Sequence, residues 1–262
     1  RGFESPSLRQ ITSCIPRQTW RSAVTLPQTI LTVHTNLLSG SSSGSLMYYS
    51  PSKVARFCAR VYVLNKWSET GILMNLQSFG KIKKLYGSVA SWAVWRDVEN
   101  SDTSDLSLFD EESINSILPK LHTRFVLVAL NISGPLDKPL SNFHGGRRDF
   151  MLRDAIKDTV IEGSYMTDLI KDHEDKKASS VVSYFKNNKN AFDEHIRNFQ
   201  IELDAVGATR DSVLVALGSD VHRLLVSASL PYRVERLTHY SARTIGKEAY
   251  RHEVERLIAR VG

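Results

Sequence analysis

The run FVLVAL at residues 125–130 is apolar at every position and does not alternate with polar side chains. A strand with this pattern is typical of a parallel sheet that is covered on both faces. Such sheets place ligand-binding groups just past the carboxyl ends of their strands. The next residue is Asn131, so the sequence predicts that chemistry takes place at this asparagine and on the loop that follows it.

Strand and helix patterns alternate from residue 120 onward. The strand patterns lie at 124–130, near 163–170, at 211–218 and at 233–239. The helical patterns lie at 148–158, around 190–206, at 219–228 and at 246–261. This alternation predicts an α/β fold, a three-layer α/β/α arrangement with a central four-stranded parallel sheet.

Residues 1–119 differ from the rest of the chain in charge and in predicted secondary structure. Residues 1–60 contain seven Lys and Arg against one acid, which accounts for the whole net charge of +6. Ser50, Pro51 and the apolar spacing that follows them predict a helix in the segment 50–67. We therefore divide the chain into an N-terminal basic and helical extension, 1–119, and an α/β domain, 120–262. The basic excess either binds nucleic-acid phosphates or only maintains solubility.

The composition argues against several classes of protein. Cys14 and Cys58 are the only cysteines, too few for a disulfide framework, a cysteine zinc site or an iron–sulfur cluster. No GxGxxG or Walker-type loop follows a strand pattern, so no nucleotide cofactor is expected. The apolar stretches are well short of a bilayer span, and the N-terminal residues lack the apolar segment of a signal peptide. We expect a cytoplasmic protein with no membrane partner, no metal and no cofactor.

Polar residues follow all four predicted strands, and their order resembles the motif order of the uracil-DNA glycosylase superfamily. ALNISGP resembles the first motif of the mismatch-specific uracil and thymine branch, with Asn131 at the catalytic asparagine. SNFH places Phe143 at the aromatic that stacks on the extruded base. GSYMTDLIK and VLVALGSDVHRLL are similar to the two intermediate segments. THYSARTIG resembles the second motif, with His239 at its histidine and Arg243 at the position of a wedge arginine.

The resemblance covers residues 121–262 and implies a role for each matched position. It implies catalytic roles for Asn131 and His239. The base-binding positions that it implies are Phe143, Ser133, Thr167 and Asp168. The implied DNA-contacting positions are Arg243, Ser241, Tyr240, Ser219, Arg147 and Arg148. The chain departs from the family pattern at Ile132 and Tyr240, which stand where prolines are usual, and it also looks like a divergent bacterial group sharing LNIS, NFH and YMTD.

The implied activity is that of a monofunctional DNA N-glycosylase, which flips a base out of the duplex and hydrolyses its bond to the sugar. The two replaced prolines favour a modified or bulky base, and members of the superfamily that attack modified phage DNA offer a precedent. Two other classes remain open: a non-catalytic nucleic-acid-binding module of the same fold, and a hydrolase of free nucleosides or nucleotides.

Each of these residues also has a purely structural interpretation. Asparagine after a strand is a common turn former, and a single buried histidine or phenylalanine is commonly part of a core. Asp149 is expected to be the N-cap of the following helix. Trp92 and Trp95, three residues apart, are expected in a core rather than on a base-stacking platform.

Overall fold

The computed structural model describes residues 74–97, 100–132, 134, 136–171 and 178–261. These residues belong to one compact unit, 71–262. Its strands are β1 (Ala90–Trp92), β2 (His122–Asn131), β3 (Ser164–Ile170), β4 (Val213–Leu217) and β5 (Arg233–Leu237). Its helices are α1 (Leu76–Tyr86), α2 (Ile114–Ile117), α3 (Asp149–Ile156), α4 (Ala178–Asn187), α5 (Lys189–Ala205), α6 (Ser219–Ala228) and α7 (Lys247–Val261).

The five strands form one mixed sheet in the order β1-β3-β2-β4-β5. Strand β2 pairs in parallel with β3 and β4, and β4 pairs in parallel with β5. The predicted α/β class is confirmed, and all four predicted strands form, as β2 to β5. Strand β1 was not predicted; it joins the edge of the sheet antiparallel to β3.

The central strand β2 is buried because its side chains enter two different apolar clusters. Phe125, Leu127 and Ala129 pack in one cluster with residues of α3 and α7, which we call the α3/α7 face. Val126 and Val128 pack in the other cluster with residues of α1, α5 and α6, which we call the α5 face. Burial of each large apolar side chain contributes ~1.5–3 kcal/mol. The enclosed part of β2, Phe125 to Leu130, has no position for a polar side chain; the polar residues of the strand stand at its start and at its last position, Asn131.

Part of the predicted extension belongs to this same core. Phe79 and Ile82 of α1 and Trp92 of β1 are buried on the α5 face. The Trp92 ring packs edge-on against Tyr165, with 5.1 Å between the ring centroids. The expectation that Trp92 is a core residue is therefore confirmed. The basic arm and the helix expected at 50–67 lie outside the described residues.

Among the described residues no helix has the length and apolar character needed to cross a membrane. Nor do three or more His, Cys, Asp or Glu side chains in these ranges come together in a way that would hold a metal ion.

Candidate active site

The carboxyl ends of β2, β3, β4 and β5 lie at one edge of the sheet because these strands pair in parallel. Side chains on a strand alternate between its faces, so residues two apart share a face. Three of the predicted site residues each lie two positions after a strand residue of the α3/α7 cluster: Asn131 after Ala129, Asp168 after Met166, and His239 after Leu237. Asp168 lies within β3 and therefore faces the α3/α7 side. Asn131 is the last residue of β2, and His239 comes two residues after the end of β5.

Asn131 and His239 follow two strands that have β4 between them in the sheet. Val128 of β2 pairs with Ala216, and Leu217 and Leu237, the last residues of β4 and β5, pair with each other. Asn131 comes three residues after Val128 and His239 two residues after Leu237, so both lie at the carboxyl end of the sheet. Two inter-strand spacings in a regular sheet amount to ~10 Å.

The amide of Asn131 is held by its own loop. The side chain is half-buried, and its Nδ2 donates to the carbonyl of Ile132 at 3.1 Å. The backbone N–H of Ile132 in turn donates to the carbonyl of Ile170 at the end of β3, at 3.4 Å. An amide fixed in this way can orient a water molecule but cannot ionise.

His239 carries its proton on one defined ring nitrogen. The backbone N–H of Ser241 lies 3.2 Å from Nδ1, and the Ser241 hydroxyl lies 2.8 Å from the same atom. A backbone N–H can only donate, so Nδ1 accepts and the neutral ring carries its hydrogen on Nε2. Burial lowers the pKa of His239, which favours this neutral form. The site therefore offers a neutral N–H donor at Nε2.

Gly218 allows the chain to turn beside this histidine. It stands between β4 and α6 with φ 111° and ψ 164°, a region that only glycine enters readily. A Cβ at this position would lie 3.7 Å from the Cβ of His239. The turn thus brings the first residue of α6, Ser219, to the same edge of the sheet.

Phe143 lies on the α3/α7 face in a strained backbone conformation. It has φ 67°, a left-handed value that costs an aromatic residue of order 1–3 kcal/mol. Its side chain is 9% exposed and belongs to the same cluster as Leu217 and Leu237. Strain of this kind persists only where the surroundings impose it.

Hydrogen bonds from Gly87, Ser91 and Thr103 stabilise the loop 137–148, which we call the Phe143 loop. The Leu140 N–H donates to the carbonyl of Gly87 at 2.6 Å, and the Ser91 hydroxyl donates to the carbonyl of Leu140 at 2.8 Å. Further along the loop, the Gly145 N–H donates to the Thr103 hydroxyl at 3.1 Å. A segment upstream of the predicted α/β domain therefore shapes the candidate site.

Asp168 is a buried carboxyl group on the α3/α7 face. It is 1% exposed, and its Oδ2 accepts from Asn142 Nδ2 at 2.7 Å. Asn142 also donates to the carbonyl of Val89 at 2.9 Å, so the Phe143 loop is fixed next to this carboxyl. Burial raises the pKa of Asp168 to about 6, against the opposing effects of the Asn142 hydrogen bond and the Lys171 charge. The group can therefore change its protonation state close to neutral pH.

Asp149 and Tyr240 form a second buried polar pair. The Tyr240 side chain lies near the Asp149 carboxylate, which accepts from the Gly146 N–H at 2.7 Å. Burial raises the pKa of Asp149 to about 6. The expectation that Asp149 is the N-cap is wrong: Arg148 precedes the helix, and Asp149 is its first residue, with its carboxylate turned back to the loop. Tyr240, predicted to contact DNA, is instead only 6% exposed.

Thr167 is separated from this group because it faces the other side of β3. Its hydroxyl donates to Glu202 of α5 at 2.7 Å, and the Tyr165 hydroxyl donates to the same oxygen at 2.9 Å. The second oxygen of Glu202 pairs with the Lys171 ammonium at 2.6 Å. Thr167 is fully buried in this network, so its side chain is used in holding α5 against the sheet and not at the predicted site.

The predicted DNA-contacting residues differ in exposure. Arg147, Ser219, Ser241 and Arg243 are exposed. Arg148 is half-buried, and its Nη2 donates to the carbonyl of Ile245 at 3.1 Å. Ser133, predicted to bind the base, lies outside the described residues.

Two polar residues and one long-range contact were missed from the sequence. Asn142 lies within the SNFH motif, but only the neighbouring Phe143 was assigned a role. Glu202 could have been found, because it lies between Phe199 and Leu203 on the apolar stripe of α5, where a carboxylate needs buried partners. The Tyr240 to Asp149 contact joins residues 91 positions apart, and no local pattern predicts it.

No protein-family model, curated protein or solved structure matches the chain. The residues at the carboxyl ends of β2 to β5 are therefore the basis for its function.

Proposed function

We propose that this protein is a DNA N-glycosylase with a three-layer α/β/α catalytic domain, which hydrolyses the bond between a flipped base and its sugar. The observation that carries the proposal is the placement of Asn131 and His239. They follow β2 and β5 at the carboxyl end of the sheet, and the two strands are two inter-strand spacings, ~10 Å, apart. One side chain can orient water, and the other presents a neutral N–H donor.

The reaction needs these two capacities at opposite ends of the breaking bond. As the base leaves, positive charge builds on the sugar ring and negative charge builds on the base. Asn131 holds a water at the anomeric carbon, and His239 donates a hydrogen bond from its neutral Nε2–H to the base as that negative charge develops. The water oxygen bonds to the anomeric carbon as the bond to the base breaks, and the proton that the water loses passes through solvent to the departing base. An amide activates water less than a carboxylate does, so the account implies slow turnover.

The flipped base is held on the α3/α7 face beside the Phe143 loop. Flipping costs roughly a few kcal/mol, which is offset by stacking and by hydrogen bonds to the base edge. Phe143 supplies an aromatic ring, and Asp168, which is itself buried, fixes the neighbouring Asn142 beside it. The substrate is a modified base, because Ile132 and Tyr240 replace the prolines that shape the pocket rim in the resembled family.

Contact with DNA is proposed for the exposed residues around this edge. Arg147 and Arg243 are exposed cations on the two loops that flank the site. Ser219 and Ser241 place small polar groups between them. Phosphate oxygens attract such groups without regard to sequence, so these residues position the duplex rather than select the base.

The experiment incubates the protein with genomic DNAs that carry different natural base modifications, and detects abasic sites and released bases by mass spectrometry. Release of one base from one DNA supports the proposal. DNA binding without release from any DNA would favour the non-catalytic binding module. Release from free nucleosides but not from polymer would favour the nucleoside hydrolase.

A further inference from the structure

Both amide hydrogens of Asn142 are bound within the protein. Its Nδ2 donates to Oδ2 of Asp168 at 2.7 Å and to the carbonyl of Val89 at 2.9 Å. The nitrogen of an asparagine amide carries two hydrogens, so these two bonds use its whole donor capacity. The polar atom that remains is the amide oxygen Oδ1, which can only accept.

The two partners also fix which way the amide faces. The Val89 carbonyl can only accept, and the Asp168 carboxyl is ionised and can only accept above its pKa of about 6. Turning the amide over would break both bonds and place Oδ1 against the buried carboxylate. The positions of the amide nitrogen and oxygen of Asn142 therefore follow from its partners.

The Oδ1 atom of Asn142 has an unused acceptor position. Among the described residues, no side chain or backbone group donates to it. The Tyr250 hydroxyl and Trp92 Nε1 also lack partners in this part of the chain, but they are sealed from solvent, whereas Oδ1 is open to it. A pocket selects its ligand through a few polar atoms that are fixed in this way.

This acceptor lies at the candidate site. In the sheet, Asp168 pairs with Ala129, which stands two residues before Asn131. Phe143, proposed to stack on the base, directly follows Asn142 in the chain and belongs to the same apolar cluster as Ala129. Asn142 is thus anchored to one part of the site and joined through the backbone to the stacking ring. Its oxygen is placed to meet the edge of a base that stacks there.

We infer that Asn142 determines specificity: its Oδ1 accepts a hydrogen bond from an N–H group on the pairing edge of the flipped base. The inference rests on the proposed function for the presence of a base in the site. The N–H group is either an exocyclic amine, as in cytosine and adenine, or a ring N–H, as in thymine. An edge that presents only acceptors would meet a fixed acceptor and be rejected, because neither group can donate.

The test measures binding alone, by NMR titration with trinucleotides in which one base lies between two abasic residues. Each of three pairs of probes differs at one donor: cytosine against pyrimidin-2-one, adenine against purine, and thymine against 3-methylthymine. At pH ~7.5 the wild type is expected to bind the donor-bearing member of at least one pair about ten-fold more tightly, because the other member leaves Oδ1 unpaired. The cytosine or adenine pair would assign an amine, and the thymine pair a ring N–H.

Substitution of Asn142 tests whether this residue is the source of the preference. Asn142→Leu keeps the approximate shape of the side chain without its polar atoms, so the preference should disappear. Combining it with Asp168→Leu gives a second variant without an unpaired buried carboxylate, and it should show no preference either. The matched control is Ser141→Ala on the same loop, where the hydroxyl donates to the carbonyl of Lys138 at 2.7 Å. This control should keep the preference.

Three results would overturn the inference: equal wild-type affinity for both members of every pair, no binding of any probe, or a preference that persists in both leucine variants. The outcome is separate from that of the base-release experiment. A preference without release from any DNA would support the acceptor role of Asn142 and refute the glycosylase activity. Release without any preference would support the proposed function and refute the acceptor role.

Discussion

The protonation of His239 follows from a neighbouring backbone amide rather than from a charged partner. The Ser241 N–H occupies Nδ1, and burial lowers the pKa of the ring. A neutral imidazole donates to a developing anion without first having to hold a buried positive charge. At the residue scale, the account therefore rests on a neutral donor.

Replacing His239 by Ala is expected to slow base release by roughly two to three orders of magnitude, the usual scale for removing one preorganised donor. The measurement is the single-turnover rate at saturating DNA. The matched control is His252→Ala, an exposed histidine of α7 that contacts Glu255 at 3.0 Å. Equal rates for the two variants would return His239 to a structural role.

The raised pKa of Asp168 predicts how the stability of the protein depends on pH. Its pKa is about 6 in the folded protein, above the ~3.9 of an unfolded chain, so the folded state binds the proton more tightly. This stabilisation is fully present below pH ~4 and is lost as the pH rises through ~6. The difference in unfolding free energy between wild type and Asp168→Asn should fall by about 2 kcal/mol from pH 4 to pH 7. Urea denaturation at a series of pH values measures it, and a difference independent of pH would contradict the burial argument.

At the residue scale, the sequence predicted which residues lie at the ends of the strands, but not which face of the sheet each side chain occupies. It placed Asn131 and His239 correctly at the ends of β2 and β5. The resemblance implied base binding for both Thr167 and Asp168, although adjacent strand residues face opposite sides. Applying the two-residue period to YMTD would have assigned Thr167 to the side away from Asn131.

At the scale of elements, the sheet is held to α5 through one buried carboxylate. Glu202 is 1% exposed and accepts from Tyr165 and Thr167 of β3 and from Lys171 just beyond it. The lysine also donates to the carbonyl of Asp168 at 2.6 Å. The network fixes the end of β3 where the site begins.

Glu202→Ala should lower the free energy of unfolding by ~3–5 kcal/mol, because it leaves a partly buried ammonium and two hydroxyls without their acceptor. Glu194→Ala, at an exposed position of the same helix, should change it by less than ~0.5 kcal/mol. Chemical denaturation of both variants measures the difference. Similar losses would show that the carboxylate is not holding the helix.

The regular elements could be predicted because their periods are local. The apolar run of β2 and the spacing of α5, α6 and α7 each lie within one short window of sequence. Strand β1 escaped prediction because ASW is three residues long and becomes a strand only by pairing with β3. The conformation of the Phe143 loop could not be predicted for the same reason, because it depends on hydrogen bonds with Gly87, Ser91 and Thr103, which are distant in the sequence.

At the scale of the molecule, exposed arginines flank the candidate site on two loops. Arg147 lies on the Phe143 loop, and Arg243 follows β5. The proposed wedge role assigns Arg243 to the gap that the extruded nucleotide leaves, where its long stem stacks between bases. This role concerns opening of the duplex rather than the chemistry.

Arg243→Ala should therefore lose most activity on duplex DNA and little on single-stranded DNA, where no stack has to be opened. The two substrates are compared at one salt concentration. Arg197→Ala, an exposed arginine of α5, should change neither. Equal losses on both substrates, with both restored by Arg243→Lys, would indicate a cation that only adds positive charge.

The most direct test of the account concerns Asn131. Asn131→Ala should nearly abolish base release in single-turnover kinetics while leaving the affinity for DNA within a few-fold, because holding the water stabilises the transition state and contributes little to binding. Asn198→Ala, at an exposed position of α5, should behave as wild type. A single-turnover rate for Asn131→Ala equal to that of Asn198→Ala would contradict the proposed active site.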